Sequence, residues 1–332
     1  MKKDSPLISI IIIDYKKDNP YILESFQAIN DQSYKNYEVI LVSDYKNNYT
    51  TNKLRKKHYG KYVLPAHKRD QGAKMAKGEI LAFLDDDAYP SKHWLKNIVK
   101  GFKSKNIVAV GGPGVTPPNT SFLEQASGWA SASPMGSGTY SYRFLPKKKK
   151  FVDDYPSMNL AVRKNHFIRV GGFDSHYWPG EDTKLCLDLT HKLNKKILYL
   201  PKALVYHHRR PLWLSHLKQN GNFGVHRGNF ARVLPQTSLK LLYFGPSLLF
   251  LGLSYLFISL LIPSIVIIPV VNLGVILSIL YFSSLLFNGI WIYKKSQNIW
   301  QGVISVPAIL ITNLWYGLRF IQGFLFIGKL KK

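Results

Sequence analysis

Two hydrophobic patterns alternate over the first two thirds of the chain. Short apolar runs rich in β-branched residues occur at 7–13, 37–42 and 80–84. Such continuous runs are typical of parallel strands that are buried on both faces. Residues 22–29 instead carry apolar side chains at helical spacing, after the first run. Because strands alternate with helices, the pattern predicts an α/β fold with a mostly parallel sheet.

A different pattern begins at residue 241. No charged residue occurs from 241 to 293, a run far longer than the roughly 20 apolar residues that cross a bilayer once. It predicts two spanning helices, at about 241–262 and 265–293, and a third segment at about 299–327 that spans or lies in the interface. The core of a soluble helical domain is the alternative, but so long an uncharged run argues against it. We therefore predict a soluble domain at 1–235 and a membrane domain at 236–332.

Composition restricts the possible classes of protein. The 332 residues include 45 basic and 19 acidic ones, which give a net charge of +26. Six bases and no acid follow residue 240, so residues 1–240 carry +20. The 14% aromatic content excludes a disordered chain, and the single cysteine, Cys186, excludes a disulfide-stabilised secreted domain. The positive charge predicts an anionic partner: nucleic acid, a phosphorylated small molecule or a membrane surface.

The basic residues also predict the orientation in the membrane. Arg232 and Lys240 precede the first predicted span, and the pair at 294–295 follows the second. Basic loops favour the cytoplasmic side, as does the basic tail at 329–332. Residues 1–13 lack the long apolar core and the cleavage site of a signal peptide. We therefore expect a multi-pass protein of the cell membrane whose soluble domain is cytoplasmic.

Acidic residues follow the predicted strands. Asp14 and Asp44 come directly after apolar runs, and Asp85, Asp86 and Asp87 come after the third. In open α/β sheets, ligands bind beyond the carboxyl ends of the strands. A solvated turn is one interpretation of the three aspartates. Alternatively they hold Mg²⁺ or Mn²⁺, which carboxylates and substrate phosphates bind together, and the metal neutralises a diphosphate leaving group.

Several segments occur in an order that resembles a known family. They are residues 9–15, 32–44, 69–87, 171–174 and 180–182, with the three aspartates as a DXD-type motif. Over about residues 6–235 the chain resembles glycosyltransferase family 2, whose members have the GT-A fold. The resemblance implies a cytoplasmic GT-A domain that binds a nucleotide sugar, followed by C-terminal transmembrane helices. Within the family, the chain looks most similar to membrane enzymes that build lipid-linked exopolysaccharide units.

The resemblance also implies a donor site and a metal site. The residues that it places on the nucleotide sugar are Ile13, Asp14, Tyr15, Asp44, Arg69, Asp85 and Asp86, with Asp44 on the base. It makes Asp87 the principal ligand of Mg²⁺ or Mn²⁺, together with Asp85 and His207. Whether His207 or His208 reaches the metal stays open, although adjacent positions of a strand point to opposite faces.

On the acceptor side, the resemblance makes Asp182 the general base that deprotonates an acceptor hydroxyl. The residues implied in acceptor binding or its support are Glu181, Asn159, His208 and Arg209. From the residues alone, Glu181 or Asp182 could instead cap a helix at 183–193. The lysine run at 147–150 could be a solvated loop or a contact for a lipid phosphate.

Together these features predict a metal-dependent inverting hexosyltransferase. It would move a sugar from a nucleotide-diphosphate sugar to a hydroxyl of a membrane-associated, polyprenyl-linked acceptor in cell-surface glycan synthesis. The alternative is a polyprenyl-phosphate sugar synthase, whose nucleophile is a lipid phosphate. An inactive scaffold or a mere nucleotide-binding module agrees less well, because the acids of the motifs are all present. We expect no nucleic-acid partner, since no recognisable nucleic-acid module accompanies the positive charge.

Overall fold

The computed structural model describes residues 5–326. Within that range the chain forms two compact units. One, the sheet unit, holds residues 5–115 and 142–208, and the other, the helical unit, holds 116–141 and 209–326. The predicted boundary at residue 235 concerns which part of the chain lies in the membrane, and it stays a prediction.

All strands described belong to the sheet unit. They are β1 (Ile8–Asp14), β2 (Tyr37–Ser43), β3 (Leu54–His58), β4 (Ile80–Asp85), β5 (Ala88–Pro90), β6 (Ile107–Gly111), β7 (Gly114–Val115), β8 (Lys150–Val152), β9 (Asn159–Arg163), β10 (Lys196–Tyr199) and β11 (Val205–His207). The three strands that the sequence predicts are β1, β2 and β4, and each lies within one residue of its predicted bounds.

The helices are divided between the two units. Those of the sheet unit are α1 (Pro20–Asn30), α2 (Pro65–Met75), α3 (Trp94–Gly101), α6 (Lys164–Arg169) and α7 (Glu181–Leu187). Those of the helical unit are α4 (Phe122–Ala132), α5 (Pro134–Ser137), α8 (Leu214–Val233), α9 (Pro235–Ser238), α10 (Leu241–Leu261), α11 (Ile268–Ser296) and α12 (Ile299–Phe326).

The large sheet brings the predicted acids to one edge. Its strand order is β3-β2-β1-β4-β9-β6-β10-β8, and β1 pairs in parallel with both β2 and β4. The register places Asp14 opposite Ser43, and Ile13 opposite Asp85. The α/β fold is therefore confirmed, and only β8 and β9 run antiparallel to their neighbours in this sheet.

Burial explains why the central strands are apolar without interruption. Every residue of β1 and β2 is buried, and so is all of β4 except Asp85. On one face the strands pack against Ile22 and Phe26 of α1 and against Trp94 of α3. A parallel strand that is covered on both faces has no solvent side on which to place polar residues.

A second, small sheet positions His207. Its strand order is β5-β11-β7, and β5 begins directly after the three aspartates. β11 runs antiparallel to β5 and places His207 opposite Ala88. The turn before β11 packs closely on the end of β6, where a Cβ on Gly112 would lie 1.7 Å from the Ala203 carbonyl oxygen. Only glycine allows so close an approach of the two backbones.

The helical unit contains three helices long and apolar enough to cross a membrane, namely α10, α11 and α12. They lie where the sequence predicts apolar segments, although α11 begins at Ile268 because a short 3₁₀ turn occupies Pro263–Ile265. The predicted end of the third segment at residue 327 and the basic tail lie outside the described residues. Within the unit, α8 packs closely on α12, since a Cβ on Gly228 would lie 2.1 Å from the Phe320 carbonyl oxygen.

Candidate active site

Asp85, Asp87 and His207 lie together at the carboxyl end of β4. Each offers one ligand atom, and these atoms lie within 4.8 Å of one another. The Nε2 atom of His207 lies 3.0 Å from Oδ1 of Asp87. Two carboxylates and an imidazole converge here, and carboxylates are the ligands that Mg²⁺ and Mn²⁺ prefer. The residues therefore fit a divalent cation.

His208 faces away from this cluster. Its Nε2 atom lies 2.8 Å from Oε2 of Glu24, and its ring stacks on Tyr21 at a centroid distance of 4.1 Å. The two adjacent histidines of the strand end thus point in opposite directions, as the alternation of a strand requires. The structure brings the side chain of His207, and not that of His208, to the carboxylates of the aspartates.

Asp86 is buried near the start of α1. It lies between this helix and the group of Asp85, Asp87 and His207, which is called the metal cluster below because these residues could hold a cation. Its Oδ2 atom accepts a hydrogen bond of 2.7 Å from Nδ2 of Asn19, the residue that caps α1. Burial and the negative charges of Asp87 and Asp85 raise the pKa of Asp86. The carboxylates at this strand end thus disfavour one another's charge, as expected where a cation is to bind.

A buried ion pair lies beneath the end of β1. Nζ of Lys68, in α2, lies 2.9 Å from Oδ2 of Asp44, and both side chains are 1% exposed. The same Nζ donates to the carbonyl of Asp14 at 3.1 Å, and Oδ1 of Asp44 accepts from the N–H of Val63 at 3.0 Å. Burial lowers the pKa of Lys68, while Asp44 opposes that shift.

Sequence reasoning missed Lys68. A signal for it exists, because the buried residues of α2 recur at helical spacing and include Lys68 and Arg69 alongside small residues. Two basic residues on the inward side of a helix require anionic partners. The partners of Lys68 are the carboxylate of Asp44 and the backbone of Asp14, two residues that the family resemblance places at the nucleotide.

The remaining predicted nucleotide residues lie at the end of β1. Ile13 and Asp14 are buried, whereas Tyr15 is 43% exposed. Oδ1 of Asp14 accepts from the N–H of Lys16 at 3.1 Å, and Nζ of Lys16 lies 5.6 Å from the centre of the Tyr15 ring. Tyr15 is thus the accessible aromatic ring of this group.

Arg69 joins two parts of the site that lie far apart in sequence. Its Nη2 atom lies 3.0 Å from Oδ1 of Asp85, and its Nη1 atom lies 2.8 Å from Oε1 of Glu181. The residue is 7% exposed. Burial works against the charge of Arg69, but the two carboxylates raise its pKa on balance. The guanidinium is occupied by these acids, so its predicted contact with the nucleotide stays a prediction.

Asp182 lies in the first turn of α7. The helix begins at Glu181 with Gly180 as its cap, so the alternative that Glu181 or Asp182 caps it is wrong. Oδ2 of Asp182 accepts from the N–H of Ser157 at 3.3 Å, and Oδ1 accepts from the N–H of Thr183 at 2.7 Å. Glu181, the residue before Asp182, pairs with Arg69, and Arg69 pairs with Asp85, so these ion pairs connect the start of α7 to the cluster of Asp85, Asp87 and His207.

Two predicted residues have other surroundings. Asn159 is buried, accepts from the Trp94 indole at 2.8 Å and donates to the carbonyls of Gly112 and Ala203, each at 2.7 Å. It supports the turn before β11, and through it His207. Arg209 belongs to the helical unit, where its N–H donates to Glu124 at 2.9 Å. An acceptor contact for Arg209 stays a prediction.

Comparison with known proteins identifies the family. A sequence profile described as glycosyl transferase family 2 matches residues 9–174, which is half of the chain. The chain belongs to glycosyl transferase family 2. The matched part contains the sheet edge with Asp14, Asp44 and Asp85, and it ends at Asp174, before α7.

Characterised relatives are distant. A pre-mycofactocin glycosyltransferase of Mycobacterium tuberculosis is 26% identical over 189 residues, which are 56% of this chain and 38% of that protein. A glucosyl-dolichyl phosphate glucuronosyltransferase of Haloferax volcanii is 22% identical over 154 residues, which are 43% of this chain and 47% of that protein. The chain thus spans less than half the length of these two curated relatives.

Solved structures share the fold. The mannosyltransferase PcManGT from Pyrobaculum calidifontis, in complex with GDP-Man and Mn²⁺, aligns with a TM-score of 0.60 and 17% identity over 94% of this chain and 88% of that one. GalNAc-T7 with UDP, GalNAc and Mn²⁺ aligns with a TM-score of 0.50 and 14% identity over 72% of this chain and 52% of that one.

The buried pair of Lys68 and Asp44 yields a testable prediction. Replacing Lys68 by Met leaves the buried carboxylate of Asp44 without its cation, which should lower the free energy of unfolding by about 3–5 kcal/mol. Adding Asp44→Asn to Lys68→Met should restore much of that loss. The measurement is thermal unfolding of the parent, both single variants and the double variant in detergent. If the effects of the two substitutions simply add, the pair does not stabilise this end of β1.

Asp70 yields a prediction about pH. It accepts a hydrogen bond of 2.9 Å from the N–H of Phe173, and burial raises the pKa of Asp70 to about 6. Between about pH 4 and pH 6, the Asp70 carboxyl keeps its proton in the folded state but has lost it in the unfolded state. The contribution of Asp70 to stability therefore falls as pH rises through this range. With partial exposure allowed for, the expected change is about 1 kcal/mol.

The Asp70→Asn variant removes the titrating group but keeps an oxygen acceptor. Its unfolding temperature relative to the parent should therefore be higher at about pH 7 than at about pH 4. The exposed Asp31→Asn is the matched control and should show no such difference. The prediction would be contradicted if the difference in unfolding temperature between Asp70→Asn and the parent were the same at both pH values.

Proposed function

We propose that the protein is a metal-dependent inverting glycosyltransferase with a membrane-associated acceptor. The observation that carries this proposal is the position of Arg69, which contacts both Asp85 of the metal cluster and Glu181 beside Asp182. A site that activates a leaving group and a residue that can take a proton thus belong to one network. Direct displacement at an anomeric carbon needs both.

Family membership and the acids at the sheet edge support a nucleotide-diphosphate sugar as the donor. Asp87, Asp85 and His207 would hold Mg²⁺ or Mn²⁺, which when bound would neutralise the charge on the leaving diphosphate. The proteins of known structure with this fold include one solved with GDP-Man and Mn²⁺. Tyr15 and the end of β1 above Asp44 would receive the nucleotide.

Asp182 would be the general base. An alcohol is a weak nucleophile at neutral pH, so a carboxylate within hydrogen-bond reach must take its proton as the new bond forms. Asp182 is half-buried at the start of α7, and Glu181 and Arg69 fix that turn against the metal cluster. Attack opposite to the leaving diphosphate gives inversion of configuration.

The helical unit supports a lipid-linked acceptor. Its three long apolar helices suit a protein that works at a membrane, and one relative is named for a dolichyl phosphate substrate. We propose a polyprenyl-linked sugar as the acceptor, and a role in cell-surface glycan synthesis. The distribution of basic residues favours a multi-pass arrangement in the cell membrane with the catalytic domain in the cytoplasm.

A second candidate is a synthase that uses a lipid phosphate as the nucleophile. It is favoured by the hydrogen bonds of Asp182, because both of its carboxylate oxygens already accept from backbone N–H groups, those of Ser157 and Thr183. A phosphate oxygen needs no deprotonation before it attacks. The two functions therefore differ in how strongly they depend on Asp182.

The test measures release of nucleotide diphosphate by the protein in membranes, across a panel of nucleotide sugars, with and without polyprenyl-linked acceptors. We expect activity that depends on Mg²⁺ or Mn²⁺ and is abolished in Asp87→Ala. Asp182→Asn should lower transfer to a hydroxyl acceptor about 100-fold or more. The matched control is Asp188→Asn, which makes the same chemical change six residues further on, at an ion pair with Lys184.

The outcomes separate the two functions. A severe loss in Asp182→Asn, with Asp188→Asn unchanged, supports the hydroxyl acceptor. If Asp182→Asn lowers the release of nucleotide diphosphate only mildly while Asp87→Ala abolishes it, the result supports a lipid phosphate as the nucleophile. If both Asp87→Ala and Asp182→Asn were as active as the parent, the assignment of the site would be wrong.

A further inference from the structure

A basic cavity lies on the sheet unit, between the C-terminal end of α3 and the strands β6 and β10. Its volume is about 320 Å³. Four lysines line it, namely Lys100, Lys103, Lys149 and Lys202, and no acidic residue does. Four ammonium groups around one cavity create a positive potential there, which favours an anion as the ligand.

Among residues 5–326, none of the four lysines forms an ion pair with a carboxylate, so no described acid neutralises their charge. All four are exposed at the rim, so their ammonium groups are accessible from solvent. The rim is also held in place, because Nδ2 of Asn97 donates to the carbonyl of Lys202 at 2.6 Å.

The cavity divides the lysine run at 147–150. Nζ of Lys150 lies over the Tyr142 ring, 3.7 Å from its centre, whereas the adjacent Lys149 lines the cavity. The N–H of Lys147 donates to the hydroxyl of Tyr199 at 3.0 Å, which holds the run against β10. The run is thus held in place at Lys147 and Lys150 while its side chains stay exposed, and Lys149 lines the cavity.

The floor of the cavity is apolar. It is formed by Ile107 of β6 and by Leu198 and Leu200 at the end of β10. Ammonium groups that surround an apolar floor suit a ligand with a compact anionic head and an uncharged body. A phosphate group offers several acceptor oxygens, and each lysine offers up to three N–H donors. A single carboxylate would satisfy fewer of the four lysines.

The cavity is distinct from the metal cluster. β10 lies three strands away from β4 in the large sheet. At a strand spacing of about 4.8 Å, this corresponds to roughly 14 Å between the strands. A single phosphate group is therefore too small to contact both β10 and the cluster of Asp85, Asp87 and His207.

We propose that this cavity is a binding site for a phosphate-bearing anion, separate from the donor site. The phosphate belongs either to a phospholipid headgroup or to a soluble phosphorylated molecule. In both cases the four lysines bind the phosphate oxygens, and the floor of Ile107, Leu198 and Leu200 contacts the uncharged part. The proposal does not depend on the reaction that the protein catalyses.

The test uses the full-length protein and two probes. In neutral detergent with a metal chelator, titration calorimetry measures binding of inorganic phosphate, and the chelator keeps phosphate from a metal in the donor site. In nanodiscs of phosphatidylcholine with or without phosphatidylglycerol, native mass spectrometry counts the retained anionic lipids. The test variant carries Lys100→Gln, Lys103→Gln, Lys149→Gln and Lys202→Gln.

The matched control carries the same change at four exposed lysines elsewhere on the sheet unit: Lys74, Lys92, Lys96 and Lys192. We expect the cavity variant to lose at least tenfold in affinity for one probe, and the control to lose less than threefold. Both variants should unfold at the temperature of the parent, since all eight side chains are exposed.

If the cavity variant loses binding of inorganic phosphate in detergent, the ligand is a soluble phosphorylated molecule. If it loses only the retention of phosphatidylglycerol in nanodiscs, the ligand is a lipid headgroup. An equal loss in both variants would show general charge attraction and would overturn the proposal. Absence of binding by the parent to either probe would overturn it as well. Neither result bears on the release of nucleotide diphosphate, so failure here is distinguishable from failure of the proposed glycosyltransferase activity.

Discussion

A single buried guanidinium, that of Arg69, holds the candidate site together. It contacts Asp85 and Glu181, which come from segments almost a hundred residues apart. A charge removed from water is tolerated only when it is paired and hydrogen-bonded, and here two carboxylates share that role. Without the guanidinium, Asp85, Glu181 and the neighbouring aspartates would repel one another. The close approach of the metal cluster and the turn with Asp182 thus depends on this cation.

Lys68, the residue before Arg69 on α2, performs a similar task at the neighbouring strand ends. Its ammonium group pairs with Asp44 and binds the carbonyl of Asp14. One helix therefore supplies both buried cations, one to the strand ends that would receive the nucleotide and one to the acids around the metal cluster. At the cluster of Asp85, Asp87 and His207, a bound divalent ion would add further positive charge to that of Arg69, which pairs with Asp85.

Local patterns made part of this arrangement predictable. Continuous apolar runs identify β1, β2 and β4, and parallel strands carry the acids that follow them to one edge. Strand alternation shows that only one of His207 and His208 can face the aspartates. Contacts between residues far apart in sequence were not predictable. Nothing local in the sequence reveals that Arg69 forms an ion pair with Glu181. Nor does it reveal that the Asn159 amide donates its hydrogen bond to the turn before β11. The grouping of α4 and α8 with the apolar helices was likewise hidden, since neither is apolar enough to stand out.

Asp85, Asp87 and His207 are placed so that they would hold one divalent cation at the end of β4. Pulsed electron paramagnetic resonance on the full-length protein with Mn²⁺ and a nucleoside diphosphate tests this most directly, because a coordinated imidazole couples its nitrogen to the metal. We expect this nitrogen coupling in the parent and in His208→Gln, and its loss in His207→Gln. Absence of nitrogen coupling in the parent, or its loss in His208→Gln alone, would contradict the account.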